Sequence, residues 1–263
     1  MKTINLFMKK GVTIPLEFDN VLPELLYDKS KEEIEQTIIY HGNQEEPLNK
    51  YFIVEIQGEC DKADECTIFI DGDLYRVKYI GNRMSCGTII ANGNVDLHVG
   101  SMMSGGHIVV NGDAESYAGR EMTGGILEIK GNVKEYCGSS YIGEWRGMSG
   151  GKIIVNGDAG KQLADCMMGG EIYIGGNCDI LAGIHMVGGF IEINGDVDKW
   201  PAAEMKKGTM VINGKVQEML QSFKLEEKIQ NPFIHDKYYF GTYNLYSGDI
   251  GSKGKGHVWI KEH

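Results

Sequence analysis

Residues 151–188 read GKIIVNGDAGKQLADCMMG from Gly151 and GEIYIGGNCDILAGIHMVG from Gly170, two 19-residue copies of one unit set end to end. Outward from this pair, the unit opens again at Gly87 (GTIIANGNVDLHVGSMMSG), Gly106 (GHIVVNGDAESYAGREMTG), Gly125 (GILEIKGNVKEYCG), Gly189 (GFIEINGDVDKWPAAEMKK) and Gly208 (GTMVINGKV). The steps between leading glycines are 19, 19, 26, 19, 19 and 19 residues. The long step contains an insertion near Ser139–Arg146 (SSYIGEWR), and a weaker copy, TIFIDGDLYRVKYIGNRMSC, precedes the set at Thr67–Cys86.

A fixed period near 20 means stacked supersecondary units. The second and fourth residues after each leading glycine are apolar: Ile89/Ala91, Ile108/Val110, Leu127/Ile129, Ile153/Val155, Ile172/Ile174, Ile191/Ile193 and Met210/Ile212. That alternation is a strand with those side chains inward. No unit holds an apolar stretch of period 3.6, which excludes a strand-plus-helix repeat. Nineteen residues at about 3.3 Å each fit a closed coil of three short strands and three corners, stacked about 4.8 Å apart. The predicted fold is therefore all-β, a right-handed parallel β-helix, the hand following the usual crossover preference. Asn-Gly pairs such as Asn92-Gly93, Asn111-Gly112, Asn156-Gly157, Asn194-Gly195 and Asn213-Gly214 are expected to supply positive-φ turns.

Other columns repeat as well. Met103, Met122, Met167, Met186 and Met205 stand sixteen after their leading glycine, with Met148 in register after the insertion and Met84 in the first copy. Such a stripe could bind soft metals or line an adaptable groove, but methionine filling the interior is the reading favoured. Gly100, Gly119, Gly138, Ala164, Gly183 and Ala202 mark a tight corner. Three segments are expected: residues 1–66 as strands and a capping helix, 67–216 as the repeats, and 217–263 as an aromatic-rich tail. In the first, Thr3–Phe7, Val12–Phe18 and Tyr51–Gln57 read as strands, and Ser30–Glu33 as a capping box opening a short helix through Ile34. The tail, with Phe223, Phe233, Tyr238, Tyr239, Phe240, Tyr243 and Tyr246, is expected to pack back over the other end or along a face.

The rest of the composition mostly excludes. A net charge of −11 with four arginines (Arg76, Arg83, Arg120, Arg146) is the wrong footprint for nucleic acid or an anionic membrane. Neither a secretory signal nor an 18-residue apolar span is present, so a cytoplasmic protein is expected. Cys60, Cys66, Cys86, Cys137, Cys166 and Cys178 form no C-x-x-C and read as small hydrophobes. No phosphate loop occurs. Glu128 and Glu192 share a strand position but fall three repeats apart, roughly 14 Å, too far for a glycosidase pair. Asp113, Asp158 and Asp196 read as Asx turns, and His98, His107 and His185 fall at three different repeat positions. No catalytic, cofactor-binding or metal-binding residue is assigned.

What accumulates is apolar surface. Ile90, Val109, Glu128, Ile154, Tyr173, Glu192 and Val211, three after each leading glycine, should point outward, a face that calls for a partner or for cover by the chain's own ends. A further column, His98, Tyr117, Tyr136, Gln162, Leu181 and Trp200, has no direction the pattern can fix. The insertion adds Trp145 and Arg146, types enriched at interface hot spots.

The repeat G-x-[IV]-x-[IV]-N-G-[DN]…G-x-x-M-x-G-G resembles the glycine-rich β-helix of two settings: the C-terminal domain of the glutamate synthase large subunit, and the C subunit of formylmethanofuran dehydrogenase. The N-terminal cap and the tail Gly248-Asp249…Gly254-Lys255-Gly256 are similar to the latter, and the resemblance covers nearly the whole chain. It implies a non-catalytic structural subunit of a complex that reduces CO2 and fixes it onto methanofuran. The tungsten- or molybdenum-pterin site, the zinc amidohydrolase site and the iron–sulfur clusters would then sit on partner subunits. The C subunit of the bacterial formyltransferase/hydrolase complex is the alternative, and an independent β-helix enzyme acting on a polysaccharide is the reading from a different class.

Overall fold

Each repeat places its leading glycine in the left-handed region, from φ +75° at Gly87 to +106° at Gly208, and then extends. In the computed structural model, which describes residues 1–263, the strands that follow pair in parallel at an offset of one repeat. Ile153 lies beside Ile172, Ile172 beside Ile191, and Ile191 beside Met210. The molecule is all-β apart from the short helices Pro23–Leu26 and Lys31–Glu35 and two single 3₁₀ turns. The inward columns hold: every second and fourth residue after a leading glycine is buried. All seven column methionines, Met84 to Met205, have no exposed surface, so they fill the interior. No helix is long and apolar enough to cross a membrane.

Two local expectations fail. The repeats opening at Gly87 to Gly170 each carry one continuous strand of four to seven residues rather than three, and those opening at Gly189 and Gly208 add a second short one, Val197–Lys199 and Val216–Glu218. A second contact between repeats is a single parallel bridge, running Val95–Ala114–Val133–Ala159–Cys178–Val197. The remainder turns, because residues such as Gln162, Ala164 and Cys166 take φ of +53°, +60° and +57° and interrupt extension. Second, among the Asn-Gly glycines named above only Gly93 has positive φ. The others are needed for close approach: a Cβ on Gly157 would stand 2.8 Å from the Gly131 carbonyl oxygen, and one on Gly112 would stand 2.6 Å from that of Gly93. The Asx side chains directly after the Xaa-Gly pair of each repeat also bond across repeats instead of within their turns. Asp113 Oδ1 accepts from Asn132 N (2.7 Å), Asn132 Oδ1 from Asp158 N (2.8 Å), Asp158 Oδ1 from Asn177 N (2.6 Å) and Asn177 Oδ1 from Asp196 N (2.8 Å).

Both ends join the same sheet. Lys2–Met8 pairs in parallel with Cys66–Asp71, and antiparallel Phe52–Gln57 closes that edge. At the other edge Gly256–Lys261 pairs in parallel with Thr209–Ile212, followed by antiparallel Thr242–Gly248 and Lys224–Gln230. One core of buried apolar side chains runs from Ile4 to Val258. The capping box forms with both arms: Glu33 N donates to Ser30 Oγ (3.2 Å) and Ser30 N to Glu33 Oε2 (2.8 Å). The strand expected over Val12–Phe18 shrinks to Leu16–Glu17, since Pro15 has no N–H to donate to a ladder.

Candidate functional site

The outer column divides into two halves. Glu192 and Val211 are buried, because the tail folds over them: Val211 and Phe190 pack with Ile234, Tyr239 and Tyr243. Glu192 anchors this cover, accepting from Lys237 Nζ (2.7 and 2.9 Å), Tyr239 Oη (2.8 Å) and Asn213 Nδ2 (3.3 Å). His235 stacks on Phe190 with centroids 4.0 Å apart and reaches Glu171 Oε1 at 3.0 Å. Burial raises the Glu171 carboxyl, but bonds from Lys152, His235 and Tyr173 outweigh it and hold the group down to about 2. The column thus points away from the stack's interior as expected, and at Glu192 and Val211 the cover comes from the chain's own end. Phe69, Ile90, Val109 and Ile154 stay half-exposed on the uncovered half. Glu128 there is paired to His107 (3.0 Å) and Lys130 (2.6 Å).

The column of undetermined direction becomes an aromatic ladder. Tyr79, His98, Tyr117 and Tyr136 all have positive φ, and their rings stack at 4.8, 5.1 and 4.9 Å. His98 is 8% exposed. Burial, helped by the Arg120 and Lys78 charges, pushes its imidazole down to about 4. The insertion continues the ladder sideways, with Tyr141 5.6 Å from Tyr117 and the Arg120 guanidinium 5.0 Å over the Tyr141 ring. Beyond Ser140 the insertion is exposed: Ile142 at 71% and Trp145 at 77%. A cavity of about 580 Å³ opens beside it, lined by Arg120, Arg146, Glu121, Glu144, Tyr141 and Met168 among others. Two of the four arginines therefore face one hollow.

On the far side of the insertion, Asp165, Cys166 and His185 bring a carboxylate oxygen, a thiol and an imidazole nitrogen within 4.8 Å of one another. His185 Nδ1 lies 2.9 Å from Asp165 Oδ1. Burial and then the neighbouring Asp165 push the Cys166 thiol up to about 11. Comparing histidines only with histidines misses this group. Its signal is that Cys166 and His185 both stand fifteen after a leading glycine, one repeat apart. All six cysteines are free thiols, four buried and Cys60 and Cys86 partly exposed.

No family model matches the chain. It is 52% identical to the C subunit of the tungsten-containing formylmethanofuran dehydrogenase 2 of Methanococcus maripaludis, over 98% of this chain and 96% of that protein. The corresponding tungsten-containing protein of Methanothermobacter wolfeii is 42% identical over 38% of this chain and 36% of its own length. The C subunit of the molybdenum-containing formylmethanofuran dehydrogenase 1 of Methanothermobacter thermautotrophicus is 46% identical over 35% of this chain and 22% of its own. The matched region thus spans only about a third or less of these Methanothermobacter relatives. Among solved structures, a chain in the formyltransferase/hydrolase complex of Methylorubrum extorquens with methylofuran superposes with a TM-score of 0.84. It covers 98% of this chain and all of that one at 24% identity, a likeness of fold.

Proposed function

The chain belongs to the C-subunit family of formylmethanofuran dehydrogenases, and from that membership we propose that it is a structural, non-catalytic subunit of such a complex. The complex reduces CO2 and fixes it onto methanofuran, and this chain joins the subunits that carry the chemistry. The relatives' names support tungsten or molybdenum in the complex. The pterin metal, a zinc amidohydrolase-like centre and iron–sulfur clusters belong in this reading to partner subunits, and none to this chain. The setting is the cytoplasm, a reading the six free thiols support. The stack is read as a right-handed parallel β-helix, a reading supported by the one-repeat parallel register of its strands. Residues 1–66 and 217–263 cap it, leaving 67–216 as the working body.

The observation that carries the docking role is the uncovered half of the molecule. Tyr141, Ile142 and Trp145 stand out from the insertion beside the aromatic ladder, and the row Phe69, Ile90, Val109 and Ile154 is half-exposed, whereas the tail already covers Phe190 and Val211. Exposed aromatic and aliphatic groups of this kind are what partner surfaces bury. A tagged Ile142→Asp/Trp145→Glu double variant tests it, since both side chains are solvent-exposed and their loss leaves the core intact. The expected outcome is a folded chain with unchanged melting whose co-purifying partners fall at least about tenfold. Undiminished partner recovery would remove the insertion from the interface.

A further inference from the structure

We propose that Asp165, Cys166 and His185 form a binding site for one divalent zinc-type cation, which pins the base of the insertion to the following repeat. The inference stands on this chain's own side chains and is independent of the docking reading.

Placement comes from the repeat. Cys166 and His185 occupy the same position in consecutive repeats, so the register that aligns Ile153 with Ile172 also stacks their side chains. Asp165 precedes Cys166 and turns its carboxylate to His185 Nδ1. The insertion is tied to this point at both feet: Ser140 N donates to Asp165 O (3.1 Å) and Gly147 N to Cys166 O (2.9 Å). Trp145 then meets the His185 ring edge-on, centroids 6.1 Å apart. The site is therefore held from below by the stack and roofed from above by the loop.

The donor set selects the cation. One sulfur, one imidazole and one carboxylate suit a borderline ion such as Zn²⁺ and exclude Ca²⁺ and Mg²⁺, which take oxygen shells. Ligand atoms around tetrahedral zinc lie about 3.5 Å apart, so a 4.8 Å spread closes by about 1 Å through side-chain rotation. Three protein donors leave one position for water. Glu204 Oε2, 3.9 Å from His185 Nε2, is placed to accept the outer N–H once Nδ1 binds the metal. The balance is simple. Cys166 gives its thiol proton to solvent, the His185 proton is relocated from Nδ1 to Nε2, and one proton is released per cation.

The test is titration of the purified full chain, stripped by chelator, with Co²⁺ and then Zn²⁺. The expected result is one equivalent of Co²⁺ with a thiolate-to-cobalt charge-transfer absorption, bleached by Zn²⁺, and one proton released. Cys166→Ser should abolish the absorption and weaken Zn²⁺ binding at least about 100-fold. His185→Gln should weaken it at least about tenfold, and Cys86→Ser should leave it unchanged. Should Cys166→Ser fail to fold, the wild-type absorption and His185→Gln decide. No charge-transfer absorption, or equal affinity in His185→Gln and wild type, would overturn the site.

Discussion

Glycine and methionine form one device at the residue scale. The Met148 Cε would lie 2.7 Å from a Cβ on Gly170, and the same 2.7 Å separates Met84 Cε from Gly106 and Met167 Cε from Gly189. Met84, Met103, Met148, Met167 and Met186 each fill the space that the next repeat's leading glycine leaves empty. Both columns are legible in the sequence, but that they touch is not, since neither period states which residue of one repeat lies over which of the next. Gly170→Ala should destabilise by about 3 kcal/mol, combining positive-φ strain with the clash. Gly143→Ala, at φ +92° with nothing within 4 Å, should cost only about 1 kcal/mol. Denaturant melts of the two variants separate clash from strain; equal losses would contradict the packing argument. His98 supplies a second check. Its folded value near 4 lies below the ordinary 6.5, so the unfolded chain takes up the proton first as pH falls. Stability should be unaffected above about pH 6.5 and fall by at most about 1.4 kcal/mol per pH unit from there to about pH 4. His98→Phe should remove that component of the slope, and an unchanged slope would contradict the assignment.

Cover is the theme at the scale of elements. The strands and their inward columns are readable because period-two alternation survives in every copy. What the tail does is not readable, because Lys237 and Tyr239 stand 45 and 47 residues from Glu192 and share no pattern with it. The Asn-Gly pairs mislead for a related reason. A glycine kept clear for a neighbouring backbone looks, in sequence, like one kept for a turn. Glu192→Ala would leave the buried Tyr239 hydroxyl without its acceptor and should cost about 2 kcal/mol. Hydrogen exchange should rise across Lys224–Gln230 and Thr242–Gly248 while Thr88–Asn92 stays protected. A uniform rise along the stack would show that the carboxylate supports the whole core and not the cover alone.

As a whole molecule, the chain carries its repeats in one sheet closed at both ends by antiparallel strands, with one uncovered flank. The stack is legible from its period, and the family from motifs spread over nearly the whole chain. The site beside the insertion goes unread because histidines are compared only with histidines, although Cys166 and His185 share one repeat position. The two carboxylates that share a strand position are both engaged, Glu128 with Lys130 and Glu192 with Tyr239. The proposed role is tested at what binds the flank. The direct measurement is a gentle native purification through a tag on this chain, with the mass and metal content of whatever co-elutes. Large partners carrying tungsten or molybdenum together with zinc and iron are the predicted result. Large partners with more than one zinc per copy of this chain but no tungsten or molybdenum would place the chain with the formyltransferase/hydrolase complexes instead, and a monodisperse monomer of 29.1 kDa without partners would contradict the structural-subunit account.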